Sequence, residues 1–279
     1  MNFKTISIIV TSQDTLAHGL DAAISAAAGC DAHLEVVCVG VDATQGASFY
    51  AGAPAVLYQE AIVEAQAQAG ALKEACNARL ARTDIRWSVE AGVAQLGGLQ
   101  TFVAQNTRFA DLVVQPLPYG PGRTASDEAV VEAALFGAGA AVVVLPEGAQ
   151  VPLKPGRVVI GWNESDEALA AVRRALPLLQ RADLVNVAVI APPSHGPERS
   201  DPGGRLTQML VRHGVHAEVS VLAKTLPRVS DVMIRHLRET GADLLVMGAY
   251  GHSRLREALL GGATREMLED TPVPVLLAR

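Results

Sequence analysis

The feature that most constrains this chain is an internal repeat. Three pairs of segments agree in order and in pattern: 5–14 (TISIIVTSQD) with 157–166 (RVVIGWNESD), 110–114 (ADLVV) with 242–246 (ADLLV), and 141–146 (AVVVLP) with 274–279 (PVLLAR). Self-similarity on this scale indicates that one structural unit occurs twice. The sequence therefore predicts two tandem domains, over residues 1–147 and 156–279.

Residues 146–156 (PEGAQVPLKPG) separate the two halves and contain three prolines and two glycines. This composition is typical of an extended connector. The first half is about twenty residues longer than the second between the matching segments. We expect the extra residues at 41–58, which are rich in Gly, Ala and Ser, and in a longer helix over about 59–81.

Within each half, short runs of Val, Ile and Leu alternate with helical patterns, which predicts βαβ units and a parallel sheet. In the second half the strands are predicted at 157–162, 184–190, 217–222, 243–247 and 274–278, with helices at 165–180, 203–213, 229–240 and 263–270. The fold class is therefore α/β, with two flavodoxin-like or Rossmann-like domains. Each is predicted to be a five-stranded parallel sheet with helices on both faces.

Composition excludes several function classes. The net charge is −6, the aromatic content is 4%, and no Lys/Arg cluster is present, so nucleic acid is not an expected partner. The longest uncharged apolar stretch, 133–145, is too short to span a bilayer, and the polar residues after Val10 interrupt any signal sequence. The three cysteines, Cys30, Cys38 and Cys76, show no metal spacing and are predicted to be reduced core residues. We expect a cytoplasmic protein.

Residues 247–268 (MGAYGHSRLREALLGGATREML) follow the predicted fourth strand of the second half and carry glycines at 248, 251, 261 and 262. Gly248 and Gly251 allow the backbone to approach a ligand closely. Gly261 and Gly262 directly precede a predicted helix, whose free N–H groups and dipole favour a phosphate group. Ligands in such sheets bind beyond the carboxyl ends of the strands. The pattern predicts a phosphate site here.

The glycine pattern, G-x-x-G, nine residues, then G and a small residue, resembles the nucleotide-binding motif of the universal stress protein family. The strand openings, the ADLLVMG segment and the closing PVPVLLAR segment are similar to that family as well, so the resemblance covers nearly the whole chain. It implies flavodoxin-like domains that are often dimeric. It also implies that ATP or AMP, with or without Mg²⁺, is the ligand.

The resemblance assigns the ligand contacts residue by residue. The phosphate-side positions are Gly248, Gly251, Gly261, Gly262, Ala263 and Thr264. Asn163 stands where the family usually has Asp, and Gly262 stands where it usually has Ser or Thr. These two differences weaken the implied binding without removing it, because Asn keeps a carbonyl and Gly262 keeps its N–H. The second strand closes with Val189 or Ile190, and we assign the adenine contact to Val189.

The first half departs further from the motif. Residues 116–122 (PLPYGPG) replace the first two motif glycines, and Thr11 stands where Asn163 stands in the second half. Proline has no N–H to offer a phosphate. We therefore predict that the first half has lost the site and is a structural partner. The apolar last strands predict that the two halves pair as a pseudo-dimer, with homodimers as a further expectation.

The charged residues in and near the glycine motif have more than one interpretation. Arg254, Arg256 and Arg265 fit phosphate oxygens, but they fit equally a solvated face paired with Glu257, Glu266 or Glu269. His252 is more simply an exposed loop residue. Glu164, Asp166 and Glu167 are better suited to the start of a helix than to acid–base catalysis. No catalytic or metal-binding residue is assigned.

The predicted function is that of a stress-response regulatory protein whose C-terminal domain binds an adenine nucleotide and whose occupancy changes the surface offered to an unknown protein partner. The alternatives are a nucleotide-free scaffold of the same fold and a slow ATP hydrolase.

Overall fold

The computed structural model describes residues 3–42, 55–192, 200–249 and 262–279. These residues form two compact units, Phe3–Val142 and Val143–Arg279, which we call the first and the second domain.

The first half of the chain supplies five strands and four helices: β1 (Thr5–Val10), α1 (Gln13–Cys30), β2 (His33–Asp42), α2 (Ala55–Leu80), β3 (Arg86–Gln95), α3 (Leu99–Thr107), β4 (Leu112–Pro116), α4 (Ala125–Glu132) and β5 (Val142–Leu145). The strand order is β3-β2-β1-β4-β5, with β1 parallel to both β2 and β4. The N–H of Val113 on β4 donates to the carbonyl of Ala141, which directly precedes β5.

The second domain repeats this arrangement with the elements β6 (Arg157–Gly161), α5 (Asp166–Leu179), β7 (Leu184–Ile190), α6 (Gly204–Arg212), β8 (Ala217–Leu222), α7 (Val229–Thr240), β9 (Leu244–Gly248), α8 (Ala263–Asp270) and β10 (Val275–Ala278). The strand order is β8-β7-β6-β9-β10, all parallel. The predicted fold class is confirmed.

The burial of the strand side chains depends on the position of the strand in the sheet. The interior strands are apolar on both faces, as in β4 and β9, whose first three residues are all buried. The edge strand β8 has the sequence AEVSVL and exposes Glu218, Val219 and Val221. A strand with helices on both faces must be apolar throughout, whereas an edge strand is only partly covered.

Serine at the start of a helix and glycine at its end mark the helix boundaries. Ser12 precedes α1 and accepts the N–H of Thr15 at 3.1 Å, and Ser165 precedes α5 and accepts the N–H of Ala168 at 3.1 Å. These serine oxygens satisfy donors that the first helical turn leaves unpaired. Gly241 ends α7 in the left-handed conformation, with φ +60°, which glycine adopts at little cost.

The extra length of the first half is found in β2, β3 and α2. β2 and β3 have ten residues each, against seven and six in β7 and β8, and α2 has twenty-six. The helix begins at Ala55, four residues earlier than predicted. Residues 43–54 of the predicted Gly/Ala/Ser-rich segment lie outside the described residues.

A polar network lies between β7, β8 and α7 of the second domain, with Asn186 and His236 buried and Glu218 at the surface. The carboxamide nitrogen of Asn186 donates to Glu218 at 2.9 Å and to Ser220 at 2.8 Å. Its oxygen lies 2.9 Å from Nε2 of His236 and accepts that hydrogen, because the amide nitrogen is already donating. Burial lowers the pKa of His236 below its usual value. Burial therefore disfavours the protonated form of this histidine.

Among the described residues, no helix is both long and apolar enough to cross a membrane.

Candidate functional site

A cleft opens at the carboxyl ends of β6, β7 and β9 in the second domain, where the fold predicts a ligand. Its volume is about 140 Å³. A cavity of about 150 Å³ can hold benzene, so this space accommodates a ring. The lining residues come from three strands and two helices: Gly161, Trp162, Asn163, Ala188, Ile190, Val229, Ser230, Met233, Met247, Gly248, Ala263 and Met267.

The floor of the cleft exists because two neighbouring strand positions carry small side chains. Gly161 on β6 is in register with Ala188 on β7. A Cβ atom at Gly161 would lie 3.3 Å from Cε of Met233 and 3.5 Å from Cβ of Met247. A larger side chain at position 161 would therefore project into the space between the sheet and α7.

The walls are formed largely by methionines. Met233, Met247 and Met267 all line the cleft, which is three of the five methionines in the chain. Methionine is flexible and polarizable, so its thioether adapts to the face or edge of an aromatic ring. With Ile190 and Val229, these side chains give an apolar site that suits a flat heterocycle.

Asn163 is the polar residue at the mouth of the cleft and is exposed. Its side-chain oxygen accepts the N–H of Ser165 at 3.2 Å. This hydrogen bond fixes the orientation of the carboxamide and leaves the NH₂ group as the donor available to a ligand.

The backbone is strained on both sides of this mouth. Glu164 has φ +62° and Ala191 has φ +47°, both left-handed values that a non-glycine residue adopts at a cost. They follow the ends of β6 and β7. Strained residues cluster at ligand sites, where the surrounding structure maintains them.

The N-terminus of α8 forms another side of the cleft. Gly262 is its N-cap with φ −77° and ψ 145°, and no side chain caps it. Ala263 lines the cleft, and Thr264 is buried. The first N–H groups of a helix have no partner within the helix, so an uncapped N-terminus favours an anion.

Gly248 lines the cleft and also has a structural role. A Cβ atom at this position would lie 2.5 Å from the backbone nitrogen of Ala168 and 2.7 Å from the carbonyl carbon of Glu167. The start of α5 thus packs directly on β9. Glycine is required at position 248 whether or not a ligand binds.

Val189 and Ile190, the two residues considered for the adenine contact, lie on opposite faces of β7. Ala188 and Ile190 line the cleft, whereas Val189 does not. Val189 faces the other side of the sheet, toward Gly203. A Cβ atom added at Gly203 would lie 3.4 Å from Cγ2 of Val189. Side chains alternate along a strand, so Ile190, and not Val189, is the β7 residue beside Ala188 that contacts the cleft.

Several predicted residues lie outside the described residues: Gly251, Gly261, His252, Arg254 and Arg256. Arg265 is described, and its Nε donates to Glu269 at 2.9 Å. Asp166 and Glu167 occupy the first turn of α5, as predicted for residues at the start of a helix. Within the described ranges, no cluster of His, Cys, Asp or Glu could hold a metal ion.

The sequence motif did not identify the apolar part of the site. Gly161, Ala188 and the three methionines lie on three strands and two helices that are far apart in the sequence. The available signal was the alternation along β6 and β7, which places residues 161 and 188 on one face once the register is known.

Comparison with known proteins identifies the domain. Residues 155–279 match the model of the universal stress protein family. The universal stress protein Slr1230 of Synechocystis is 30% identical over 99 residues, which is 35% of this chain and 33% of that protein. The chain thus aligns with about a third of the length of this curated relative.

A solved structure that spans the whole chain shows the same fold. A universal stress protein from Archaeoglobus fulgidus covers 98% of this chain, and 96% of its own length is covered, with a TM-score of 0.66 at 14% identity. A universal stress protein in complex with cAMP covers 45% of this chain and 98% of its own length, with a TM-score of 0.38 at 23% identity. The first match extends the fold over both domains, and residues 155–279 carry the universal stress protein domain.

Proposed function

We propose that the second domain binds an adenine nucleotide, ATP or AMP, and that the protein acts as a stress-response regulator. The observation that carries the proposal is the convergence of an apolar cleft, the side chain of Asn163 and the uncapped N-terminus of α8 at one end of the sheet. Each part suits a different portion of a nucleotide.

The base would occupy the cleft floor. Gly161 and Ala188 leave room above the strands, and Met233, Met247 and Ile190 supply apolar contacts to the faces of a ring. Apolar walls with a few polar groups are usual for small-molecule sites. The NH₂ group of Asn163 would donate to an acceptor on the base or the sugar.

The phosphates would lie at the N-terminus of α8. The backbone N–H groups of Gly262, Ala263 and Thr264 are the donors in this proposal, and Gly251 and Gly261 are proposed to add theirs. Gly262 offers no hydroxyl but imposes no steric limit, since a Cβ there would have no atom within 4 Å. ATP would bring Mg²⁺ with its phosphates.

Occupancy of the site is proposed to change the surface that the segment 250–260 offers to a protein partner. A ligand shifts a conformational equilibrium only through contacts that differ between the two states. Phosphate contacts to Gly251 and Gly261, at the ends of this segment, would be such contacts.

The first test is to denature the purified protein and identify any released small molecule by mass spectrometry. Calorimetric titration with ATP, AMP and cAMP then ranks the ligands, and cAMP is included because a universal stress protein has been solved with it. Released adenine nucleotide, or measurable binding, supports the proposal. An empty protein that binds none of the three contradicts it.

The placement of the base is tested by Gly161→Val. The added methyl groups enter the cleft and displace the ring, so we expect at least a tenfold loss of affinity, or about 1.4 kcal/mol. Gly70→Val is the matched control, because a Cβ at Gly70 would have no atom within 4 Å. Equal affinities in the two variants would refute the placement.

The alternative function is a nucleotide-free scaffold. It is favoured by the packing of Gly248 against Ala168, which explains that glycine without a ligand. Slow ATP hydrolysis remains the enzymatic alternative, and a steady turnover that disappears in Gly161→Val would support it.

The first domain is proposed to be a structural partner without a nucleotide. Its pairing with the second domain, further homodimerisation and a cytoplasmic location stay predictions from the sequence. Cleavage of the connector near Gly156 followed by size-exclusion chromatography tests the pairing, because separate elution of the fragments would rule it out.

A further inference from the structure

Cys38 and Cys76 form a buried pair in the first domain, remote in sequence from each other. Cys38 lies in the middle of β2 and Cys76 lies in the last third of α2. Both are fully buried, and their sulfur atoms are 3.7 Å apart. Neither belongs to the cleft of the second domain.

The packing of α2 on β2 holds the two sulfurs together. One stripe of α2 is buried, formed by Ala65, Ala69, Leu72, Cys76 and Leu80. Gly40 lies two residues beyond Cys38 on the same face of β2. If position 40 carried a Cβ atom, that atom would lie 1.8 Å from the carbonyl oxygen of Ala65. The helix therefore lies in direct contact with the strand, which limits the separation of the cysteines.

We propose that Cys38 and Cys76 are an oxidisable dithiol that a peroxide converts to a disulfide joining β2 to α2. The sulfurs need to approach from 3.7 Å to the ~2.05 Å of a disulfide, which small side-chain rotations can supply.

The two thiols have different roles in this reaction. The Cys38 thiol donates its hydrogen to the sulfur of Cys76. This hydrogen bond lowers the pKa of Cys76 against the opposing effect of burial, and the same bond together with burial raises the pKa of Cys38. The sulfur that carries negative charge more readily is the better nucleophile toward peroxide.

The reaction balances in two steps. The sulfur of Cys76 attacks one oxygen of hydrogen peroxide, which breaks the O–O bond and gives a sulfenic acid and water. The thiol of Cys38 then attacks the sulfenic sulfur, forms the S–S bond and releases a second water. Hydrogen peroxide is the two-electron oxidant. Because both sulfurs are buried, local opening of the domain must admit it.

The test exposes the full-length protein to hydrogen peroxide, blocks the remaining thiols after denaturation and maps the peptides by mass spectrometry. We expect free thiols to fall from three to one per chain, with Cys38 linked to Cys76 and with full recovery after dithiothreitol. The Cys30→Ala variant is the matched control and should form the same bond.

Two variants separate the roles of the two cysteines. Cys38→Ala should form no intramolecular disulfide and should trap Cys76 as a sulfenic acid that dimedone labels. Cys76→Ala should give neither product. The inference is wrong if all three wild-type thiols survive peroxide just below the unfolding temperature, or if the disulfide formed involves Cys30. These measurements on the wild-type chain need no variant to fold.

Discussion

The two domains share one strand order, yet the same region is open in the second domain and filled in the first. Gly161 and Ala188 form the floor of the cleft, and the register places Ile9 and Val37 at the corresponding positions of β1 and β2. In the first domain these side chains belong to a buried cluster of Ile9, Val37, Val39, Ala94, Leu99, Val103, Val130 and Ala133. Side-chain volume at two strand positions therefore distinguishes a cleft from a core.

The polar groups at this edge differ in the same way. In the first domain, Arg123 forms an ion pair with Asp14, and the Arg123 side chain is only 13% exposed. At the start of α4, the Asp127 carboxylate accepts the N–H of Thr124 at 2.7 Å and its hydroxyl at 2.9 Å. In the second domain the corresponding helix, α8, has no side-chain cap. The two domains therefore differ in the side chains that meet the start of this helix.

The strand–helix contact shows a third contrast. In the second domain, Gly248 on β9 lies against Ala168 of α5. In the first domain, Pro116 ends β4, and the glycine is on the helix: a Cβ at Gly19 would lie 3.2 Å from Cδ of Pro116. Close approach is kept in both domains, but only the second keeps a strand-end glycine with an N–H. Close contact between the strand and the helix is therefore compatible with a glycine on either element.

The largest expected effect comes from removing a side chain from the buried cluster of the first domain. Ile9→Ala should destabilise the first domain by about 3 kcal/mol, because it removes a fully buried side chain and leaves a cavity. Chemical denaturation monitored by hydrogen exchange in each domain measures it. Gly161→Ala, at the corresponding position, should change stability by less than about 1 kcal/mol. Similar losses in both variants would show that the two regions are packed alike.

The next effect concerns the glycine on β9. Gly248→Ala should cost about 2 kcal/mol, because its Cβ meets the backbone of α5, which cannot move away as a flexible side chain can. Gly262→Ala is the control, since its Cβ has open space and its φ of −77° is ordinary. Thermal unfolding of the two variants measures the difference. An unchanged melting temperature for Gly248→Ala would refute the packing role.

A smaller effect is expected at the ion pair of the first domain. Arg123→Ala should cost about 1 kcal/mol, because it removes a largely buried guanidinium together with its ion pair to Asp14. The exposed pair of Arg79 and Asp21 is the matched control, and Arg79→Ala should cost less stability than Arg123→Ala because solvent screens an exposed pair. Urea denaturation at low and high salt compares them. The comparison fails if both variants lose the same stability.

The smallest effect is a pH dependence confined to the second domain. The pKa of His236 is lowered by burial, so the folded domain disfavours the protonated form. Its contribution to stability is complete above the unfolded pKa of about 6.5 and is lost as pH falls through the lower folded pKa. His236→Gln, which keeps a donor toward Asn186, should weaken this dependence. Unfolding curves from pH 7.5 to 5 test it, and identical slopes would contradict the assignment.

Local pattern was sufficient to predict most elements of the second half. The predicted helices at 229–240 and 263–270 coincide with α7 and α8, and the strands at 184–190 and 217–222 coincide with β7 and β8. Alternating apolar runs bounded by Gly, Pro and Asp encode these elements locally. The start of α2 at Ala55 was not predicted, because residues 55–58 carry no N-cap or breaker signal of their own.

The site was only partly predictable for a different reason. Glycines next to a helix N-terminus form a sequential motif, so Gly248 and Gly262 could be named from the sequence. The choice between Val189 and Ile190 depends on a one-residue register, which reverses the face of a strand. The methionine walls and the Cys38–Cys76 pair depend on tertiary packing between elements far apart in sequence.

The fixed carboxamide of Asn163 has a consequence for ligand choice. Because the N–H of Ser165 holds its oxygen, the residue offers a donor toward the cleft, whereas a carboxylate at the same position would offer only acceptors. Asn163→Asp keeps the turn while inverting the polarity of the group that a ligand meets. If the cleft binds a ligand as proposed, the direction of this hydrogen bond would favour ligands that present an acceptor to residue 163.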